Sequence, residues 1–468
     1  MADQVRHDVV PVYFFSIIEI MDSRTIVAPM TPAGVSAVAA LRVSGPQVRG
    51  VVRRLFGDKP AEALEPRRAN LGTARDPQTG KVLDSLLYLF FEGPGSYTGE
   101  DVLELYPHGN PLIVRDLLQA IRGIEGVRLA EPGEFTRRAF LNGKMDLTQA
   151  ESVADVIHSA NRAELENAHR LLSGVLSKKI AVLAAQVKDI AARLELDVDF
   201  AEEEADPDFA GWEQRFVSIR QSIQQILDSF HGKASLSKLP LAVLYGAPNA
   251  GKSSLVNALL GEDRVLVSNV PGTTRDFVEV RLFLPGGEIR LVDTAGIADR
   301  AADELDALSM KKSREVLEEA DLKILVVDGA ANLEKEMPAE SSADVTVFSK
   351  CDLHKTAPCE NGAAHLQLQV SSKTGEGLAE LKNIMNTALF KDNGNTEDLW
   401  ITSEREKACL EDALAGVDRA LELVRKNPAV ELLAFEMQVV RRALQSITGE
   451  ISSEDILQSI FAGFCIGK

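Results

Sequence analysis

Gly246-Ala247-Pro248-Asn249-Ala250-Gly251-Lys252-Ser253-Ser254 is the stretch whose residue types and spacing most narrowly define a chemistry. A glycine-bounded loop of this kind turns backbone N–H groups and a helix N-terminus towards a β-phosphate. Lys252 adds a point charge for the β- and γ-phosphates, and the Ser253 hydroxyl is a ligand for Mg²⁺. The apolar run from Leu239 to Tyr245 before the loop reads as a buried parallel strand. Leu255-Val256-Asn257-Ala258-Leu259-Leu260 after it reads as the first turns of a helix. Strand, loop and helix in that order separate a phosphate-binding loop from a chance Gly-Lys-Ser.

Further elements follow in the order such a fold needs. Asn269-Val270-Pro271-Gly272-Thr273-Thr274-Arg275-Asp276 offers a threonine hydroxyl to complete a Mg²⁺ shell. Ile289 to Val292 reads as a strand ending in Asp293-Thr294-Ala295-Gly296. Asp293 can hold Mg²⁺ through water, and the Gly296 N–H can meet a γ-phosphate. Leu322 to Val327 reads as another buried strand, Val345 to Phe348 runs into Ser349-Lys350-Cys351-Asp352, and Leu366 to Val370 into Ser371-Ser372-Lys373. An isolated Asp352 would read as a solvated loop acid. After the fifth strand of a phosphate-loop fold it reads as the acceptor for guanine N1 and N2, a donor pair that adenine lacks. Ser349 stands where asparagine is usual and is expected to weaken the strut to the phosphate loop. Ile297 stands where Ras-type enzymes place a water-orienting Gln, so another group must position that water.

The bulk of the chain bounds these readings. At 468 residues it should hold two or three domains, and 45 % hydrophobic with 26 % charged residues is ordinary for a globular protein. A formal charge of −19 argues against coating nucleic acid by bulk electrostatics. Arg137-Arg138 and Arg441-Arg442 are the candidate basic patches, each equally a solvated face. Cys351, Cys359, Cys409 and Cys465 show no C-x-x-C spacing, so reduced thiols are expected. No run reaches the ~18 apolar residues of a membrane span, and the expected location is cytoplasmic. Val9 to Ile18 makes a poor signal peptide between Asp3, Asp8, Glu19 and Asp22. Residues 1–20 read as a non-core extension ahead of Met21, and a chain starting at Met21 is expected to fold normally.

The elements that must position the site follow from composition. Residues 25 to about 140 alternate short β-type and helical runs, an α+β pattern. Ala37 to Val43, Leu83 to Phe91 and Val102 to Tyr106 are strand candidates, and Leu112 to Ile121 is helical. Leu147 through Val198 is rich in Ala, Leu, Glu and Lys and reads as long bundle helices. Trp212 to Phe230 is another, and helices return from Ser403 to the end. A helical region interrupted by an α/β segment suggests insertion at a loop.

Runs at both ends make the chain resemble the MnmE (TrmE) family of tRNA-modifying GTPases. They are Thr25-Ile26-Val27-Ala28-Pro29, Leu41-Arg42-Val43-Ser44-Gly45-Pro46 and Ser96-Tyr97-Thr98-Gly99-Glu100-Asp101. Pro132-Gly133-Glu134-Phe135-Thr136-Arg137-Arg138-Ala139-Phe140-Leu141-Asn142-Gly143-Lys144 and Phe464-Cys465-Ile466-Gly467-Lys468 complete them. The resemblance spans residues 24–468. It implies a multidomain α/β protein: an α+β, tetrahydrofolate-binding-like N-terminal dimerisation domain over 21–140, a discontinuous helical domain over 141–238 and 391–468, and an inserted P-loop, Ras-like G domain over 239–390. It implies GTP hydrolysis in modification of the tRNA wobble uridine at C5, with the FAD protein MnmG (GidA) and a folate one-carbon unit. The implied partners are tRNA and MnmG, in a homodimer through the N-terminal domain that builds a heterotetramer with MnmG. The implied cofactors are GTP, Mg²⁺, K⁺ and 5-formyltetrahydrofolate or a related folate.

Residue by residue, the resemblance places GTP contacts on Asn249, Ala250, Gly251, Lys252, Ser253 and Ser254. It extends them to Ser268, Thr273, Thr274, Asp293, Thr294, Ala295 and Gly296, and to the base-reading residues Ser349, Lys350, Asp352, Ser371, Ser372 and Lys373. Mg²⁺ falls on Ser253 and Thr274, and K⁺ on Asn249, Ser268, Val270 and Thr273. Folate falls on Arg42, Glu104, Lys144 and Lys468. The water-orienting acid aligns with Asp306, with Glu304 the runner-up, beside Lys252 as a catalytic group. Cys465 has no assigned role, and a packed helix-end thiol is its plain reading. The rival reading is an Era-like ribosome-assembly switch, but such proteins usually carry a KH-type RNA module, and no G-x-x-G clamp follows the G domain.

Overall fold

In Val82-Leu83-Asp84-Ser85-Leu86-Leu87-Tyr88-Leu89-Phe90-Phe91 every second residue, from Asp84 to Phe90, is buried, the period of a strand with one face in a core. This computed structural model describes residues 23–199, 209–231, 239–261, 278–293, 315–329, 343–353, 366–390, 399–426 and 429–467. The chain divides into two compact units, one of Met1–His158, Ala168–Phe230 and Leu399–Lys468, the other of Ser159–Asn167 and His231–Asp398.

The first unit opens with β1 (Thr25–Pro29), β2 (Ser36–Val38), β3 (Leu41–Ser44), α1 (Val48–Phe56), α2 (Asp58–Glu62), β4 (Ala69–Arg75), β5 (Val82–Phe91) and β6 (Val102–Tyr106). It continues with β7 (His108–Gly109), α3 (Pro111–Arg122), β8 (Val127–Leu129) and α4 (Glu134–Leu141). Six strands form one sheet in the order β4-β5-β6-β3-β1-β8, antiparallel except where β1 meets β8. One face buries Val43, Leu86, Tyr88, Phe90, Leu103 and Leu105 against α1 and α3. The other is covered at β1 by Phe135 of α4 and by Tyr97. The strand expected over 37–43 is two: Ala39-Ala40 breaks it, with the Ala39 N–H bonded to the Pro107 carbonyl.

Four helices follow: α5 (Leu147–His158), α6 (Arg162–Leu172), α7 (Val175–Asp199) and α8 (Phe209–Asp228). The long helical run is thus three helices, broken at 159–161 and at Ser173-Gly174.

The second unit holds β9 (Leu241–Tyr245), α9 (Lys252–Leu260), β10 (Val278–Leu284), β11 (Gly287–Asp293), β12 (Leu322–Asp328), β13 (Val345–Ser349), β14 (Leu366–Gln369) and α10 (Leu378–Leu389). Its sheet runs β10-β11-β9-β12-β13-β14, parallel except for the β10–β11 hairpin. The sequence reading missed β10, although Val278-Glu279-Val280-Arg281-Leu282-Phe283-Leu284 alternates and Gly286-Gly287 marks the turn. From β9 the chain goes to β10 and β11 on one side, then to β12, β13 and β14 on the other. The loop after β9 therefore lies at a topological switch point, where open α/β sheets bind ligands at their carboxyl edge.

The first unit closes with α11 (Glu404–Val424), α12 (Val430–Thr448) and α13 (Glu454–Ala462). Leu176, Ile180, Leu183, Val187, Ile190 and Leu194 make the apolar stripe of α7 at helical spacing. They share a core with Phe216, Ile219 and Ile223 of α8, Leu410 and Val417 of α11, and Met437 and Val440 of α12. Arg405 ties this bundle together, with Nε 2.8 Å from Glu151 Oε1 and Nη1 2.7 Å from the Ser446 carbonyl. Among the described residues no helix is long and apolar enough to cross a membrane.

Candidate functional site

The phosphate loop is held in shape by its own backbone and by β12 and β13. Gly246 has φ +144°, and a Cβ there would lie 2.1 Å from the Val326 carbonyl oxygen of β12, so only glycine lets the chain leave β9 this way. Asn249 has φ +62°, uncommon for a side-chain-bearing residue. Lys252, 4 % exposed, curls back over the loop, its Nζ donating to the Gly246 carbonyl at 2.9 Å and the Ala247 carbonyl at 2.8 Å. Ser253 Oγ donates to Asp293 Oδ2 at 2.6 Å. The first turn of α9 and the end of β11 thus bring a hydroxyl and a 3 %-exposed carboxylate together. These are hard oxygen donors of the kind Mg²⁺ takes with phosphate oxygens and water.

The residues expected to read the base stand at the ends of β13 and β14. The expected weak strut is a formed one: Ser349 is buried, and its Oγ donates to the Ala250 carbonyl at 2.6 Å. Lys350 Nζ reaches the Asn249 carbonyl at 3.1 Å and Asp328 Oδ2 at 2.6 Å. Asp352 is exposed, and its Oδ1 accepts from the fully buried Ser371 Oγ at 2.7 Å. The Lys373 and Thr374 amides in turn donate to Ser371 Oγ, so this serine fixes the turn that carries Ser372 and Lys373. Burial pushes the Cys351 thiol up, which keeps it a small apolar filler beneath the loop. The structure thus joins Asn249, Ala250, Lys252, Ser253, Asp293, Ser349, Lys350, Asp352 and Ser371 through one carboxyl edge. Ser268, Val270, Thr273, Thr274, Arg275, Thr294, Ala295, Gly296, Ile297, Glu304 and Asp306 lie outside the described residues, as do residues 1–20 and Lys468.

A second constellation occupies the first unit. Arg42 and Glu104 are cross-strand partners in the β3–β6 register. Arg42 Nη2 donates to Glu104 Oε1 at 2.9 Å, and Tyr106 donates to Glu104 Oε2 at 2.5 Å. Burial, then the bond to Glu104 and its charge, push the Tyr106 phenol up to about 12. The guanidinium lies 4.8 Å from the Tyr97 ring centroid and 5.8 Å from that of Phe135. Arg42 Nη1 is buried and has no hydrogen-bond partner among the described residues. A buried donor without a partner is costly, and an anionic or carbonyl ligand would satisfy it. Lys144 is exposed and donates to the Pro94 carbonyl at 2.7 Å. The C-terminal run comes home to β1: a Cβ on Gly467 would lie 2.2 Å from the Pro29 carbonyl oxygen, and Phe464 packs with Phe140 and Phe461.

Two sequence readings are corrected here. Cys465 is an exposed thiol, with Sγ 3.8 Å from His158 Nε2, because Phe464 takes the buried place beside it. Arg138 is no basic patch: it is 1 % exposed and bonds Glu100 and Glu134, while Arg137 pairs with Glu454. The missed positions are Asp328 and Tyr106, whose only sequence signal is a polar residue ending an apolar strand.

A model of the MnmE helical domain matches residues 147–465, and one of the GTP-binding protein TrmE N-terminus matches residues 25–144. A protein of Phenylobacterium zucineum called tRNA modification GTPase MnmE is 39 % identical over 95 % of this chain and 100 % of its own. A Methylobacterium radiotolerans protein of the same name is 38 % identical over 96 % of this chain and 100 % of its own. The crystallised G domain of the T. maritima FeoB iron transporter is 29 % identical, covering 32 % of this chain and 98 % of that one, with a TM-score of 0.25. With family models over both the N-terminal and helical regions and relatives matched end to end, the chain belongs to the MnmE (TrmE) family of GTP-binding proteins.

Proposed function

We propose that this protein hydrolyses GTP to drive modification of the wobble uridine of tRNA at C5, in the cytoplasm, together with an MnmG (GidA)-type FAD protein and a folate one-carbon unit. The observation that supports it most is the Lys252, Ser253 and Asp293 cluster at the carboxyl edge of the second unit's sheet, in a chain that relatives named tRNA modification GTPase MnmE match end to end. Lys252 leaves its loop carbonyls to meet the β- and γ-phosphates, and Asp352 reads guanine. Ser253 with Asp293 would hold Mg²⁺, with the Thr274 hydroxyl as a further oxygen donor. Mg²⁺ held there would supply charge neutralisation for the β- and γ-phosphate oxygens. Asn249, with Ser268, Val270 and Thr273, would hold K⁺, which would supply the charge stabilisation that an arginine finger gives elsewhere. Asp306, or Glu304 beside it, orients the attacking water.

Arg42, Glu104, Lys144 and Lys468 receive the folate. Glu104 reads the donor edge of a pterin ring, and the basic side chains suit an anionic glutamyl tail. The buried, unpartnered Arg42 Nη1 fits a ligand acceptor at this place. Residues 21–140, 141–238 with 391–468, and 239–390 are the folate-binding, helical and G domains of a homodimer that joins MnmG, with 1–20 outside the core. The test is turnover in KCl against NaCl at equal ionic strength, beside wobble-uridine analysis in cells lacking the protein. Faster hydrolysis in KCl, lost in Asn249→Ala, and unmodified C5 are expected. Equal rates in both salts would remove K⁺, and normal wobble uridine would remove the tRNA role.

A further inference from the structure

We propose that Asp328, at the end of β12, is a positioning residue for nucleotide binding: it anchors Lys350 against the phosphate loop, locking the base-reading loop and the phosphate loop into one geometry. The inference rests on the reading of 349–352 as the base-reading loop.

Two consecutive residues of that loop hold two consecutive carbonyls of the phosphate loop. Ser349 Oγ holds Ala250, and Lys350 Nζ holds Asn249. The serine hydroxyl is buried and needs no help. The lysine is different. A lysine carries its charge on a four-carbon stem with three rotatable donors, and it keeps one geometry only when something anchors it. Its side chain is 38 % exposed, and Asp328 Oδ2, at 2.6 Å, is the carboxylate that holds it. The sheet, not a loop, sets that carboxylate. Asp328 pairs with Ser349 in the parallel β12–β13 register, and the Gly329 N–H donates to the Ser349 carbonyl at 2.9 Å.

Backbone strain marks the same contact. Among the described residues three non-glycine residues have positive φ: Arg67 at 60°, Asn249 at 62° and Lys350 at 58°. The last two are the two ends of this one hydrogen bond. Such conformations persist where the surroundings over-determine them, and they gather at ligand clamps. Asp328 is therefore a link in a chain, Asp328–Lys350–Asn249, that ends in the phosphate loop. The pair is partly solvated, so its removal should cost little in global stability and show in nucleotide binding instead.

Steady-state GTP hydrolysis by the full chain tests this. Asp328→Asn keeps the size and removes the charge. It should raise KM about threefold to tenfold, with kcat within about twofold. Asp328→Glu should restore most of the KM. Lys350→Ala should raise KM alike, and the double variant should be no worse than Lys350→Ala alone, because both changes break one chain. An unchanged KM in Asp328→Asn would overturn the proposal, as would full additivity in the double variant or a failure of Asp328→Glu to rescue. Should Asp328→Asn not fold, Asp328→Glu and Lys350→Ala still decide it: a parent-like KM in Lys350→Ala would overturn it. Asp352→Asn with xanthosine triphosphate tests the base-reading loop separately. A failed base switch beside a raised KM in Asp328→Asn removes that reading of the loop and leaves the anchor. A successful switch beside an unchanged KM removes the anchor alone.

Discussion

At the residue scale the proposed base-reading pocket turns on hydrogen-bond polarity. Asp352 offers acceptors only, which suits two N–H donors of guanine, and Ser371 holds one of its oxygens. Asp352→Asn reverses the polarity of one contact, and xanthine presents an oxygen where guanine presents the exocyclic amine. The variant is expected to lose GTP affinity by about 1.5–3 kcal/mol, the worth of a charge-assisted hydrogen bond, and to gain affinity for xanthosine triphosphate. Competition binding with labelled nucleotide measures both, and undiminished GTP binding would exclude Asp352 as the reader. The placement of these residues at one sheet edge was legible because each type has few alternatives at its spacing: a Gly-Lys-Ser behind a strand, an Asp ending the next parallel strand, a Lys-x-Asp after another. Asp328 was not legible. An aspartate that ends an apolar run is an ordinary way for a strand to meet water, and it takes the fold to show its 2.6 Å contact to Lys350. The strut from Ser349 was not legible either. A serine in place of asparagine gives no sign of the contact, but β13 brings its backbone close enough for the hydroxyl alone to reach Ala250.

At the scale of elements, α4 is fastened to the N-terminal sheet by buried charges. Arg128 of β8 gives both terminal guanidinium nitrogens, Nη1 and Nη2, to Glu134 at 2.7 and 2.6 Å, and Arg138 adds a contact at 2.9 Å and reaches on to Glu100. Burial alone would raise the Glu134 pKa, but Arg128, the Glu131 amide and Arg138 together outweigh it and hold the carboxyl below its usual range. A depressed folded-state pKa gives stability that is present above the unfolded value of about 4.3 and is lost as pH falls through the folded value. Thermal unfolding followed from pH 7 downward should therefore show a loss of stability below about pH 4 that Glu134→Gln no longer shows. At pH 7 that variant should be destabilised by about 3 kcal/mol, because Arg128 and Arg138 lose a buried partner. A melt unchanged at pH 7 would mean that α4 is held by Phe135 and Phe140 alone. The sequence displayed some elements and hid others for physical reasons. β12 and β13 are buried on both faces and read as continuous apolar runs. β4 is an edge strand with only Ala74 buried, so Ala69-Asn70-Leu71-Gly72-Thr73-Ala74-Arg75 carries no alternation to read. The breaks between α5, α6 and α7 fall in a sequence whose helix formers continue on either side.

At the scale of the molecule, the N-terminal sheet leaves an apolar face uncovered. Leu71 and Leu87 are cross-strand partners on β4 and β5, and they are 74 % and 48 % exposed. Their parity places them on the face opposite the α1 and α3 core. The same row continues from Leu87 to Tyr106, and the next runs from Leu89 through Glu104 to Arg42. The exposed leucines and the candidate folate residues therefore share one sheet face. Directly opposed leucines on an edge hairpin are a poor surface to leave in water, and a second copy of the same face would cover them. A homodimer closed on this face would be converted into a monomer by Leu71→Asp with Leu87→Asp, read by sedimentation at micromolar concentration. Both side chains are solvent-exposed in the isolated chain, so thermal stability should fall by no more than about 1 kcal/mol beyond the loss of association. Folate binding by calorimetry should weaken in the monomer, since Arg42 and Glu104 would lose the neighbouring wall of their face. A variant that stays dimeric would move the interface elsewhere in the chain, and a monomer that binds folate as tightly as the parent would confine the ligand site to a single copy.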